Sequence, residues 1–229
     1  MGASVGRSIR ARDFRQSRCA TWSMHLKPPR VPPAAIAAFG AAVGPRVLPG
    51  TYTLKMTRGD KVYTTQLKVD LDPRAKFTLD ERRQQFELVT RLGTMLNHMS
   101  WAVDAIIGVR DAASQRAAKM PAADPLRRSL LDLADSADKI RSKIVATKEG
   151  GMITGEERLR EYLAGLYGDV NGYEGRPTDS QVARADVLSR ELEDVIREFM
   201  TLTESRLPGL NRDLQAKQLA VITILAEKQ

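Results

Sequence analysis

The helix-start signals of this sequence limit its fold more than any other feature. Three segments, 78–81, 154–157 and 178–181, have the Thr-x-x-Glu/Gln pattern of a capping box. In that motif the Thr side chain accepts a hydrogen bond from the backbone three residues later, and the Glu or Gln side chain reaches back to the Thr backbone. Asp124-Pro125 adds a fourth start, with Asp as N-cap and Pro at the first helical position. The sequence therefore predicts four helices.

An apolar stripe with spacings of three and four residues follows each start, as in helices that bury one face. We expect the first helix to reach about Ala118, the second to stop at Gly150-Gly151, and the fourth to reach about Ala216, with a kink or restart at Pro208. Helix by helix, the residues expected in the core are Leu88, Leu92, Met95, Met99, Ala102, Ile106 and Val109; Leu126, Leu130, Leu133, Ala137, Ile140 and Ile144; Leu159, Tyr162, Leu163, Leu166 and Val170; and Val182, Ala185, Leu188, Leu192, Val195, Phe199 and Leu202.

These stripes predict a mainly α protein, with an antiparallel four-helix bundle over residues 75–216. Hydrophobic residues make up 42% of the chain, but aromatic residues only 5%. The core must therefore be mostly aliphatic, which suits helix packing better than a β-sandwich.

A small β segment is predicted ahead of the bundle, over residues 21–74. Alternating apolar and polar residues predict strands near 51–57 and 61–71, with Gly59-Asp60 in the turn between them. Trp22, Met24 and Leu26 also alternate with polar residues and predict one further short strand. The proline-rich stretch 28–33 predicts an extended loop. A lone hairpin is marginal in water, so this segment looks like the end of a sheet whose beginning is missing or minimal.

The positive charge is concentrated at the N-terminus. The formal net charge is +8, but residues 1–50 hold eight Lys/Arg and one acid, and the rest of the chain holds 28 basic and 27 acidic residues. Residues 1–20 have no hydrophobic period, which predicts a disordered basic arm. The near-neutral remainder disfavours nucleic-acid binding, which needs a basic stripe on a folded element.

The sequence leaves the compartment open. No apolar run approaches the roughly 20 residues that span a bilayer, no signal peptide is visible, and the arginine-rich start is a weak match to a transit peptide. The single cysteine, Cys19, excludes an internal disulfide and a cysteine-built zinc site. Residues 217–229 form a tail whose apolar run, Leu219–Leu225, fits a strand, a helix or a terminal flap.

Two metal-site patterns are incomplete. The segment 169–180 resembles a calcium loop, but Tyr173, Glu174 and Ser180 disagree at the fifth, sixth and twelfth positions, so a helix–turn–helix connection is favoured. Metal centres in bundles use Glu-x-x-His, and His98 is preceded at that spacing by Met95. Since His25 is the sole other histidine, a di-metal centre is excluded, and His98 is expected at the edge of the core.

The remaining candidates also have structural interpretations. Arg58-Gly59-Asp60 is the cell-adhesion tripeptide, but Gly and Asp are what a hairpin turn requires. Asp132, Asp135 and Asp138 line one side of the second helix and are expected to form a solvated charged face. Met95, Met99 and Met152 could form an adaptable groove, although core packing is favoured. Because nucleophile-elbow and phosphate-loop motifs do not occur either, no catalytic, cofactor-binding or metal-ligating residue is assigned, and no cofactor is expected.

The order of several short motifs resembles a known family. In sequence these are Trp22–Leu26, the prolines of 28–33, Gly44–Leu54, Val69–Arg74, Gln85–Leu88, Leu163–Leu166 and Gly175–Thr178. This order resembles the C-terminal end of bacterial sortilin-like, BNR-repeat β-propeller proteins, often labelled as glycosyl hydrolases or photosystem II stability-factor-like proteins. In that family an Ig-like β segment and a helical bundle follow a long propeller. The resemblance covers roughly residues 22–216.

The resemblance implies that the hairpin is an Ig-like remnant and that hydrolytic or ligand-binding activity belongs to the propeller, which this sequence lacks. Family members are typically exported. The chain is therefore expected to be a non-catalytic accessory or interaction module, with a β-propeller domain or a second copy as partner. The alternatives are a fragment of a glycosyl-hydrolase-type enzyme whose active region is missing, and a binder of anionic surfaces or nucleic acid through residues 1–20.

Overall fold

The computed structural model describes residues 21–34, 40–148 and 155–227. Within these residues the chain forms two strands followed by four helices, so the protein is mainly α, as predicted. The strands are β1 (Gly50–Arg58) and β2 (Lys61–Val69), and the helices are α1 (Leu79–Ala117), α2 (Pro125–Ile144), α3 (Leu159–Asn171) and α4 (Asp179–Ala216). The basic arm, Cys19 and Met152 lie outside the described residues.

Three of the predicted helix starts are confirmed. At α1, Glu81 N donates to Thr78 Oγ1 at 3.2 Å and Thr78 N donates to Glu81 Oε2 at 2.7 Å. Thr178 and Gln181 form the same reciprocal pair at α4. At α2, Leu126 N donates to the Asp124 side chain at 2.9 Å, with Pro125 at the first helical position. Each start therefore satisfies backbone donors that a helix leaves unpaired.

The predictions for the link between α2 and α3 are wrong. The second helix ends at Ile144, before Gly150-Gly151, because Val145 is extended and fully buried. The third helix begins at Leu159 rather than after Thr154, which lies outside the described residues. Glu156 accepts a hydrogen bond from Thr147 N at 3.0 Å. Its carboxylate therefore joins the two ends of the link, and residues 155–158 stay outside the helix that begins at Leu159.

The helices pack as two long and two short elements. Arg91 pairs with Asp186 near the starts of α1 and α4, and Lys217 after α4 pairs with Asp124 beyond the end of α1. The long helices α1 and α4 therefore run parallel. The short helices α2 and α3 run the opposite way and lie along successive parts of the long helices, since Asp138 of α2 pairs with Arg110 and Gln85 of α1 bonds to Val170 O of α3. The two short helices barely touch each other.

The core lies along these seams, and the predicted stripes of α1 and α2 are buried in full. Two expectations for the later helices are wrong. Tyr162 is 43% exposed, with the Arg184 guanidinium 5.3 Å from its ring centre, and Val182 is 40% exposed. The buried aromatic of α3 is instead Tyr167, whose hydroxyl donates to Val43 O at 2.9 Å. Helix α4 continues through Pro208 without a restart.

Two irregular segments cover the bundle. The N-terminal segment crosses α1, where Ser100 donates to Arg30 O at 2.9 Å and Arg30 N donates to Asn97 at 2.7 Å. Residues 217–227, here called the C-terminal strap, are neither strand nor helix and run back along α1 and α4. The strap buries Ile222 to 2% exposure. The short strand predicted at Trp22–Leu26 is reduced to one bridge, between His25 and Arg46.

Candidate interaction surface

The hairpin formed by β1 and β2 has a regular antiparallel register. Gly50 pairs with Val69 at one end and Arg58 with Lys61 at the other, so Gly59 and Asp60 alone form the turn. Gly59 has φ of +57°, which glycine adopts at little cost. The predicted turn at Arg58-Gly59-Asp60 is therefore confirmed.

The two faces of the hairpin differ in chemistry. Residues directly opposite each other in an antiparallel pair point to the same face, and successive residues alternate between faces. By this rule the partners Tyr52 and Leu67, Leu54 and Thr65, and Met56 and Tyr63 share one face, here called the apolar face. The opposite face holds mostly Thr, Lys and Gln, with Val62 as its one large apolar residue.

The apolar face is in contact with solvent. Leu54 is 42% exposed, Met56 59%, Tyr63 48% and Leu67 38%. Among the described residues, no residue of β1 or β2 comes within 8 Å, Cα to Cα, of a residue of α1, α2, α3 or α4. Neither strand is paired on its outer side with another described segment. The hairpin therefore projects from the bundle with one apolar face and two open edges.

The root of the hairpin is held firmly. The buried guanidinium of Arg82, on α1, donates to Arg46 O at 2.6 Å and to the Gln85 side chain at 2.5 Å. Burial lowers the pKa of Arg82 from its ordinary value. Gln85 in turn donates to Val170 O and Tyr173 O. The loop that leads into β1 is therefore fixed to α1, and through α1 to the end of α3.

An aromatic pair marks the inner end of the apolar face. The rings of Trp22 and Tyr52 meet edge to face with centroids 5.2 Å apart, and Tyr52 donates to Leu48 O at 2.5 Å. Burial raises the pKa of Tyr52, while the charge of Arg82 opposes that shift. The Trp22 indole N–H is shielded from solvent and has no acceptor among the described residues.

The hairpin carries a net positive charge. Lys55, Arg58, Lys61 and Lys68 face a single acid, Asp60, within residues 50–69. Residues 70–229 hold 24 basic and 26 acidic side chains, so they are slightly acidic. Residues 21–49 add Lys27, Arg30 and Arg46 and no acid, so the positive charge of the described residues lies in the hairpin and in the segment that leads into it.

A groove of about 600 Å³ lies beside the root of the hairpin and brings ionisable groups together. Asp70 pairs with Lys68 at 3.1 Å, Asp72 with Arg74 at 2.8 Å, and Glu174 with Arg46 at 2.5 Å. Hydrogen bonds from Arg74 lower the pKa of Asp72. A glycosidase needs one carboxyl with a raised pKa as general acid, whereas the pKa of Asp72 is shifted in the opposite direction.

The sequence-predicted metal candidates are not brought together. No group of three or more His, Cys, Asp or Glu side chains that could hold a metal occurs in the described part of the chain. Segment 169–180 contains the end of α3, a turn and the start of α4, and Tyr173 bonds there to Arg176 O. Asp138 forms ion pairs with Arg110 and Arg141.

The two histidines and two of the methionines also have structural positions. His98 is half-buried at the edge of the core, where it stacks on Trp101 at 5.3 Å and lies 3.7 Å from Glu227 of the strap. Met95 and Met99 are buried in the core. Sequence reasoning found the hairpin but missed its solvent-exposed apolar face, which strand alternation alone cannot distinguish from a buried one.

Comparison with known proteins found no matching family model, no matching curated protein and no matching solved structure. None of the described helices is long and apolar enough to cross a membrane.

Proposed function

We propose that this chain is a non-catalytic accessory module that binds a partner protein through its hairpin. The observation that carries the proposal is the apolar face, four of whose large side chains are 38–59% exposed. A contiguous exposed apolar patch on a soluble domain is typical of an interaction site. A hairpin of two nine-residue strands with two open edges is also an unusual element to leave unpartnered, since two strands alone are marginal in water.

The rigid root supports the same proposal. Because Arg82 and Gln85 fix the loop before β1 to the bundle, the hairpin is held out in one place. A preorganised element loses less conformational entropy on binding than a mobile one. The bundle is then the support, and the hairpin is the part that binds. The resemblance to the C-terminal region of sortilin-like β-propeller proteins agrees with an accessory role.

Site-specific photocrosslinking tests this proposal. A photoreactive phenylalanine replaces Met56 on the apolar face or, as the matched control, Thr53 on the opposite face, and crosslinks are formed in the source cells. We expect protein adducts from position 56 that are absent or much weaker from position 53. Equal adducts from both positions, or none from position 56, would contradict the proposal.

A second measurement separates docking from folding. Leu54→Thr combined with Met56→Thr should change the free energy of unfolding in urea by no more than about 0.5 kcal/mol, the usual range for surface substitutions. The same double variant should abolish the crosslinks formed from position 63. A large loss of stability would show that the apolar face belongs to the protein's own core. Turnover of nitrophenyl glycosides by the purified chain would favour the alternative of a glycosidase fragment.

A further inference from the structure

The two open edges of the hairpin indicate what kind of partner fits it. Each outer edge of β1 and β2 presents backbone N–H and C=O groups along nine residues. Such an edge pairs with another β-strand, which is the basis of strand addition in peptide recognition. A partner that contributes a strand satisfies these groups, and its side chains can cover part of the apolar face.

The size of the apolar face shows that face contact alone is insufficient. A nine-residue ribbon measures about 30 Å by about 10 Å at a rise of about 3.3 Å per residue and a strand spacing of about 4.8 Å. One face therefore offers about 300 Å², whereas a partner in a standard interface contributes about 800 Å². A stable complex needs the edge as well as the face, which again requires a partner with β-structure.

The charge on the hairpin specifies the partner further. Lys55 and Lys68 lie on the face opposite the apolar face. Arg58 and Lys61 pair beside the turn, where the strand alternation places them at the tip of the apolar face. Both faces of the hairpin therefore carry positive charge. A second copy of this chain would bring the same cations together, because its hairpin has the same charges. A strand with carboxylates at alternate positions would instead place them beside these cations.

On these grounds, and resting on the interaction function above, we propose that the hairpin adds to the edge of an acidic β-sheet in another polypeptide. An anionic membrane would also attract the cations, but it has no strand to pair with the two open edges of the hairpin.

Peptide titration of the full-length ¹⁵N-labelled protein tests this inference. The probe is a nine-residue peptide of alternating Val and Glu with blocked ends, and the matched control replaces each Glu by Lys. We expect saturable shifts of amide signals from residues 50–69 with the acidic peptide and at least tenfold weaker binding of the basic one. In Lys55→Glu/Lys68→Glu the preference should reverse, while the unfolding transition should move little, because both side chains are exposed and Lys68 loses only a surface ion pair with Asp70.

Three results would overturn the inference. The first is the absence of saturable shifts with the acidic peptide, or an equal response to both peptides. The second is a concentration-dependent dimer whose formation shifts the same amides, which would identify a second copy as the occupant. The third is binding to phosphatidylserine vesicles with loss of the same signals, without a response to the peptide. The first two leave the crosslinking result of the proposed function standing, so the two proposals can fail separately.

Discussion

Asn211 and Ile222 form a reciprocal pair between a side chain and a backbone. Ile222 N donates to Asn211 Oδ1 at 2.8 Å, and Asn211 Nδ2 donates to Ile222 O at 3.0 Å. The Ile222 side chain is buried at the same point. Asn211 lies on α4, and two residues of α1 also hold the strap. Arg116 donates to the carbonyls of Ala220 and Val221, and Trp101 donates to Leu225 O. Side chains of the bundle therefore hold the strap by its backbone groups.

Replacing Asn211 by Ala should weaken this attachment. Two hydrogen bonds are lost and two strap backbone groups lose their partner, which together cost about 2 kcal/mol in the free energy of unfolding. Urea denaturation measures the loss, and Arg212→Ala, at the exposed next residue, is the control that should change stability little. If Asn211→Ala is as stable as the control, the strap is not part of the cooperative fold.

The strap begins at a residue with an unfavourable backbone angle. Gln218 has φ of +58° directly after the C-cap residue Lys217, and Leu219 N donates back to Leu214 O at 2.9 Å. A left-handed residue at this position is usually Gly, because a Cβ there is crowded. Gln218→Gly should therefore raise the free energy of unfolding by about 0.5–1 kcal/mol. The matched change Gln215→Gly, within the last turn of α4, should lower it. The same sign for both variants would contradict this explanation.

The helices could be predicted from sequence because their signals are local. Thr78, Asp124 and Thr178 each act within three residues, and the stripes of α1 and α2 repeat over many turns. The α2–α3 link could not be predicted, because the Glu156 carboxylate binds Thr147, nine residues away in sequence. The Thr-x-x-Glu pattern at 154–157 gives no sign of this long-range bond, which ties the segment to the residues that follow α2.

The candidate surface was only partly predictable for the same reason. The alternation of Tyr52, Leu54 and Met56 predicts a strand with one apolar face. Whether that face meets a helix or solvent depends on where the hairpin leaves the bundle. That position is set by Arg82 and Gln85, whose bonds reach residues 35 to 88 positions away. Long-range contacts of this kind leave no periodic signal in the sequence.

Acid should open the α2–α3 link. The pKa of Glu156 is lowered from 4.5 to about 2. The largest cause is the hydrogen bond from the Thr147 backbone, and the next is the hydrogen bond from the Arg158 side chain. A carboxyl with a lowered folded-state pKa contributes stability that is present above its unfolded value and is lost as pH falls toward the folded value. Protection of the Thr147 amide against hydrogen exchange should therefore fall between about pH 5 and pH 2. Glu156→Gln should flatten this dependence, whereas Glu157→Gln, at an exposed neighbour, should keep it.

Replacing two glycines of α3 by alanine should change the free energy of unfolding in opposite directions. A Cβ at Gly168 would lie 2.8 Å from Gly40 Cα and 3.0 Å from Gly40 O, both backbone atoms. The loop that holds Gly40 is fixed to α3, because Tyr167 and Asn171 both donate to Val43 O. Gly168→Ala should therefore lower the free energy of unfolding by about 1–3 kcal/mol, the usual cost of overpacking. A Cβ at Gly165 would meet nothing within 4 Å. Gly165→Ala should raise stability by up to about 1 kcal/mol, because alanine favours helix over glycine. Thermal unfolding of both variants measures the difference, and a stabilising Gly168→Ala would show that the loop at Gly40 does not pack against α3.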